Sequence, residues 1–237
     1  MTEAINIQSK TKDEGRKFVA KTYGWMCLAL FISALSAVLA ATYAPLIHLI
    51  WGHGGIGFSV LAISEIVLVF VLSATIRKLP VWGATLCFIA YSILNGLTLS
   101  SIFVFYSLHS ITSAFLAASL MFGLMSLYGM LTKTNLATAG HYLMMGVIGL
   151  VIISAINLLV TAITHTPLPI LDWVLSLVTV VLFTGLTAYD TQKIARASLY
   201  ADESEVYQKL SIYGALNLYI DFINIFLSLL RLFGRRN

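Results

Sequence analysis

From Leu79 to Thr132 the chain carries no Asp, Glu, Lys or Arg, and between Lys21 and Arg77 it carries only Glu65. About 20 apolar residues cross the hydrocarbon core of a bilayer, so each run is too long for one crossing and must fold back at a polar break. A soluble domain holds roughly 25% charged residues. This chain holds 10%, with 59% hydrophobic residues and a mean hydropathy of +0.92, and reads as an integral membrane protein.

The breaks fall at Pro45 to Gly57, at Arg77-Lys78-Leu79-Pro80, at Ser107 to Thr112, at Thr132 to Gly140, at Thr164 to Pro169 and at Thr191 to Lys209. They leave seven apolar segments, near 22–43, 57–76, 81–106, 113–131, 141–163, 170–190 and 211–232. Backbone polar groups in lipid must be satisfied within a helix or a closed barrel, and uniform apolarity over this length means helices. The expected fold is all-α: a short flexible cytoplasmic tail over 1–21, then a polytopic bundle of seven transmembrane helices over 22–237.

Lys and Arg set the orientation. Lys10, Lys12, Arg16, Lys17 and Lys21 precede the first segment. Arg77 and Lys78, Lys133, and Lys193, Arg196 and Lys209 occupy the even loops, while the odd loops have none. The positive-inside rule then puts the N-terminus and even loops in the cytoplasm. Seven crossings leave Arg231, Arg235 and Arg236 outside, against the rule. The net charge of +4 reflects topology and anionic lipid rather than nucleic acid. Ser36 to Ala41 resembles a signal-peptidase site, yet the preceding polar stretch is long and the apolar run exceeds a usual signal core, so the first helix is retained.

Against this background Asp190 and Asp221 stand out, together with Glu65 in the middle of the second segment. An acid in hydrocarbon costs about 2.5–3.5 kcal/mol on insertion scales and ordinarily faces a partner or water. Asn217, Asp221, Asn224 and Ser228 recur along one face of the last helix, which should point inward and leave that helix enclosed. Ser176, Thr179, Phe183, Thr187 and Asp190 share a face of the sixth, with Asp190 at its cytoplasmic end. If the two stripes face each other, the carboxylates approach. Asn95 and Thr98 on the third helix, and Ser154, Asn157 and Thr161 on the fifth, are ordinary interhelical hydrogen-bonders.

The histidines His48, His53, His109, His141 and His165 lack ligand spacing, and Cys27 and Cys87 are packing residues. Gly123, Gly129, Gly146 and Gly149 suit close helix approach. No Walker loop, dinucleotide fingerprint, nucleophile elbow or zinc motif is present, and no enzyme activity is expected.

The stretch Ala188-Tyr189-Asp190-Thr191-Gln192-Lys193-Ile194, and Leu218-Tyr219-Ile220-Asp221-Phe222-Ile223-Asn224-Ile225-Phe226 followed by Leu229-Leu230-Arg231-Leu232-Phe233-Gly234, resemble the transmembrane Bax inhibitor motif family. The resemblance spans the chain beyond its polar tail. It implies six helices around a central seventh and a pH-sensitive calcium leak, with Asp190 and Asp221 as the pH-sensing pair. It further implies Arg77 as a latch of the closed state and Glu65 as the acid meeting Ca²⁺ from the outer side, so that Glu65, Asp190 and Asp221 contact the ion. Asn217 and Asn224 would support them.

The physical logic is independent of the resemblance. Two carboxylates within hydrogen-bond distance in a low dielectric do not both ionise cheaply, and a shared proton makes a switch. Ca²⁺ prefers six to eight oxygens, more than these residues supply, so any site is weak and hydrated, as conduction requires.

Two alternatives compete. An intramembrane aspartyl protease also needs paired aspartates and shares Tyr189-Asp190, but Leu218-Tyr219-Ile220 precedes Asp221 where Gly-x-Gly is required. A regulatory protein that binds a membrane protease or cell-death partner needs no ion path. The chain's compactness and the absence of eukaryotic targeting features lean toward a bacterial inner membrane.

Overall fold

The computed structural model describes the backbone of residues 2–75, 79–164, 166, 168–202 and 204–235, and within these the side chains outside 2–12, 44, 51–56, 70 and 73–74. Helices dominate, and no strand occurs among the described residues. In chain order they are α1 (Thr2–Thr42), α2 (Ala44–Thr75), α3 (Val81–Leu99), α4 (Ile102–Phe105), α5 (Leu108–Leu131), α6 (Ala137–Thr164), α7 (Pro169–Ala197) and α8 (Glu205–Phe233), with a 3₁₀ turn at Ser198–Tyr200.

Six stretches are long and apolar enough to cross a membrane: Asp13–Thr42, Val81–Phe105, Leu108–Leu131, Ala137–Thr164, Pro169–Tyr200 and Glu205–Phe233. The expected second span differs. Among the described residues α2 contributes only the shorter apolar stretch Gly57–Val69, so the count of seven is not reached.

The polar punctuation also misplaced three boundaries. The helix of α2 runs through the expected break after Pro45, because proline at the second helical position gives up an N–H that has no intrahelical acceptor. The tail expected to be flexible is helical from Thr2 and continuous with the first span. The polar stretch Thr191 to Lys209 is mostly helix: α7 continues to Ala197 and α8 starts at Glu205. Both ends carry charges that complement the helix dipole, Asp172 and Arg196 on α7 and Glu205 and Arg231 on α8.

The chain divides into two units, Met1–Phe105 with Ile194–Tyr219, and Tyr106–Lys193 with Ile220–Arg236. In the first, α1 packs most extensively on α3 and α3 also packs on α2. Gly96 makes the α1–α3 approach possible, since a Cβ there would run into the Ser33 carbonyl and the Ser36 side chain. Gly15 does the same for α1 against the carbonyl of Ser198. In the second unit, Ser107 caps α5 by accepting from the Ser110 amide, and Phe115 and Phe122 meet Phe222 edge to face. α8 is the most enclosed span, with 61% of an 18-residue window buried, in line with an inward last helix.

Candidate functional site

In the second unit the sequence Ala188-Tyr189-Asp190 is held by two glycines on neighbouring helices. A Cβ at Gly129 of α5 would collide with the Ala188 carbonyl, and one at Gly140 of α6 would strike the ring of Tyr189. Helices pack this closely only where a side chain is missing, and here the closeness brackets the half-buried Asp190. Gly146 likewise admits Leu182, whereas Gly123 and Gly149 meet nothing within 4 Å.

The residues after Asp190 fix its register. Gln192 reaches the loop between α5 and α6, accepting from the Leu136 amide at 2.9 Å and donating to the Thr134 carbonyl at 2.7 Å. Thr191, fully buried, donates to Ser126 Oγ at 3.4 Å. Gln192 was invisible as an anchor from sequence, where it read as the start of a polar loop.

Asp221 lies on α8 with 3% of its surface exposed. Its Oδ2 is buried and has no hydrogen-bond partner among the described residues, and Asp190 is an acid within electrostatic range of it. The Asp190 charge therefore acts on Asp221, and Asp190 lies not at a helix end as expected but within α7, which continues past it to Ala197. A buried acid beside another acid is an arrangement that a shared proton or a nearby cation relieves, and the Lys193 charge acts on Asp190.

The polar stripe of α8 divides. Asp221 and Ser228 are buried, while Asn217 and Asn224 are half-buried and share the least enclosed face with Tyr213, Ile220 and Leu227. Spacings of three, four and seven drift around the helix, so the stripe straddles the edge between its enclosed and open faces. Asn224 Nδ2 donates to its own helix at the Ile220 carbonyl, 2.8 Å away.

Glu65 sits in the first unit, where both its carboxyl oxygens are engaged. Asn95 Nδ2 donates to Oε1, and Thr98 Oγ1 lies 3.1 Å from Oε2. Asn95 Oδ1 in turn accepts from the Tyr219 hydroxyl at 2.8 Å, and Tyr219 is 2.6 Å from Ser33 Oγ. Among the described residues no three His, Cys, Asp or Glu side chains converge to hold a metal ion. Arg77, the expected latch, lies outside the described residues, as do His165 and the His53 side chain.

One acid escaped the sequence reasoning. Asp172, in the first turn of α7, accepts from Asn157 Nδ2 at 2.7 Å, and its charge acts on Arg231 of α8. An acidic neighbour is what a basic residue at this end of α8 needs, and the Asp near the start of an apolar segment was the available signal.

The sequence profile of the family described as "Inhibitor of apoptosis-promoting Bax1" matches residues 15–237. Inner membrane protein YbhL of Escherichia coli (strain K12) is 42% identical over 221 residues, covering 92% of each chain. A Rickettsia prowazekii (strain Madrid E) protein is 37% identical over 236 residues, covering 99% of this chain and 97% of the relative. A Deinococcus radiodurans protein is 36% identical over 243 residues, covering 100% and 98%.

Proposed function

This chain belongs to the Bax1 inhibitor family of multi-pass integral membrane proteins, and we propose that it is a pH-sensitive calcium leak channel gated by the Asp190–Asp221 pair. The observation that supports the gate is the buried Asp221 oxygen without a hydrogen-bond donor among the described residues, with a second carboxylate as its charged neighbour. With one proton between them the two acids attract, and α7 and α8 stay together. Losing that proton leaves two like charges in a low dielectric, which favours separation of the helices or entry of a hydrated cation.

Glu65 is the further acid available to a passing Ca²⁺, and with Arg77 as latch and Asn217 and Asn224 as polar supports it completes the proposed path. A site with so few protein oxygens holds Ca²⁺ weakly and leaves it mostly hydrated, which suits a leak and not a store. The N-terminus and the Thr191–Lys209 region face the cytoplasm in this scheme, and the inner-membrane name of the E. coli relative supports a bacterial inner membrane. No covalent chemistry is assigned to any residue.

The family description, an inhibitor of an apoptosis-promoting protein, favours a second function, a regulatory protein that restrains a cell-death partner; a membrane protease is the other partner such a non-conducting protein would restrain. The two separate in one experiment. Pure protein in liposomes should pass Ca²⁺ with a rate that changes with pH. A flat, protein-independent trace, with activity in cells lost on deleting residues 1–20 and kept in Asp221→Asn, would favour the regulatory function.

A further inference from the structure

The Glu65 carboxyl group ends a chain of hydrogen bonds that crosses four helices of the first unit. Tyr219 of α8 is wholly buried, with Phe88 and Tyr91 of α3 packed edge to face against its ring at centroid distances of 6.1 and 5.8 Å. Burial on this scale requires a partner for the hydroxyl. It has two: Asn95 Oδ1 at 2.8 Å and Ser33 Oγ of α1 at 2.6 Å. Gly96, the residue after Asn95, provides the clearance that brings Ser33 to this point.

Counting protons gives the chain a direction. Asn95 Oδ1 has no hydrogen, so Tyr219 is the donor in that contact, and its single proton is then used. The remaining capacity of the Tyr219 oxygen is to accept; its neighbour Ser33 Oγ has a single proton that also faces the Ser92 carbonyl at 2.7 Å and the Ala29 carbonyl at 2.9 Å. With Oδ1 turned to Tyr219, the NH₂ group of the same amide faces Glu65 Oε1. The donors therefore run one way from Tyr219 through Asn95 to Glu65.

We propose that Tyr219 and Asn95 are positioning residues for Glu65: the Tyr219 hydroxyl locks the Asn95 amide with its NH₂ toward the carboxyl group and thereby aims Glu65. The amide has two orientations that are nearly identical in shape. Only the pattern of donors and acceptors distinguishes them, and Tyr219 supplies the deciding donor. Tyr219 is carried by α8, so a displacement of that helix withdraws the donor and releases the aim of Glu65. This inference rests on the proposed calcium path for its consequence, but not for the hydrogen-bond order itself.

The test uses full-length Tyr219→Phe, Asn95→Ala, Glu65→Gln and the Tyr219→Phe/Glu65→Gln double variant, with melting temperature, infrared spectra and calcium flux in liposomes. Tyr219→Phe keeps the buried ring and deletes only the hydroxyl. The carboxyl stretching band that Glu65→Gln removes should shift in Tyr219→Phe and in Asn95→Ala, without Ca²⁺ present. In flux, Tyr219→Phe should raise the Ca²⁺ concentration for half-maximal rate several-fold with little change in maximal rate, and should do nothing further in the Glu65→Gln background. A Glu65 band unmoved in Tyr219→Phe overturns the proposal, even if the melting temperature falls, since Tyr219 is then only a packing residue. An additive flux defect in the double variant overturns it equally. A shifted band in a protein that passes no Ca²⁺ supports the positioning chain while removing the channel.

Discussion

The Tyr219 hydroxyl donates to Asn95 Oδ1 at 2.8 Å, joining residues 124 positions apart in the chain at a point where neither side chain reaches solvent freely. Phe88 and Tyr91 fix the ring and Gly96 admits Ser33, so the contact is determined from three sides. Two residues further along the same helix lies Asp221. Residues two apart do not share a helix face, so α8 presents the tyrosine and the aspartate in different directions.

Close packing at Asp190 should be intolerant of added volume. Gly129→Ala places a methyl group against the Ala188 carbonyl, and Gly140→Ala places one against the Tyr189 ring. Overpacking of this kind costs about 1–3 kcal/mol. Both variants should melt at lower temperature, whereas Gly123→Ala and Gly149→Ala, which meet nothing within 4 Å, should not be destabilised. Thermal unfolding in detergent, followed by tryptophan fluorescence or circular dichroism, checks the contrast.

Much of the fold was legible because charge and apolarity act locally: the uncharged run from Leu79 to Thr132 forced a membrane reading, and Asp190 and Asp221 stood out against their apolar surroundings. Boundaries were less legible. Glu205 to Leu210 reads as polar loop, yet Glu, Gln and Lys are good helix formers and extend α8 by more than a turn. The last-helix stripe was read as wholly inward, but periodicity gives a direction and not the width of the enclosed face. The Ser33–Tyr219–Asn95–Glu65 chain was beyond reach, since it joins four helices and each of its neutral members is individually commonplace in a membrane helix.

Gln192 should be a structural anchor for the loop between α5 and α6. It is 5% exposed and bonds both the Leu136 amide and the Thr134 carbonyl. Gln192→Ala removes both bonds, each worth about 0.5–1.5 kcal/mol. Hydrogen exchange at the Leu136 amide should accelerate and the melting temperature should fall. Unchanged exchange at Leu136 would show that the loop holds itself.

Asp202, in the connection between α7 and α8, is held below the ordinary carboxylate range by hydrogen bonds from the Ser204 side chain and amide, the latter at 2.9 Å. A depressed folded value means that its contribution is present above the unfolded value of about 3.9 and is lost as pH falls through the folded one. Protection of the Ser204 amide against exchange should therefore be constant near neutrality and be lost only in acid, below the unfolded carboxyl value of about 3.9. Asp202→Asn should leave any pH response near neutrality intact. Loss of that response would move the sensor from the buried pair to this loop.

Orientation is testable at a site that the structure leaves open. Tyr200 is 76% exposed at the end of the 3₁₀ turn, beyond the basic residues Lys193 and Arg196. A cysteine there, in a background lacking Cys27 and Cys87, should react with an impermeant maleimide only from the cytoplasmic side. Labelling of intact cells from outside would reverse the topology.

The central claim is that Asp190 and Asp221 act as one proton-sharing unit, and it is tested most directly by the pH profile of calcium flux in liposomes for wild type, Asp190→Asn, Asp221→Asn and the double variant. Asparagine keeps the shape and a hydrogen-bonding group while removing the like-charge repulsion. If the pair is the switch, either single variant loses most of the pH dependence and the double variant adds little, because coupled sites are not additive. A full wild-type profile in either single variant, or two independent shifts that sum in the double, would contradict it.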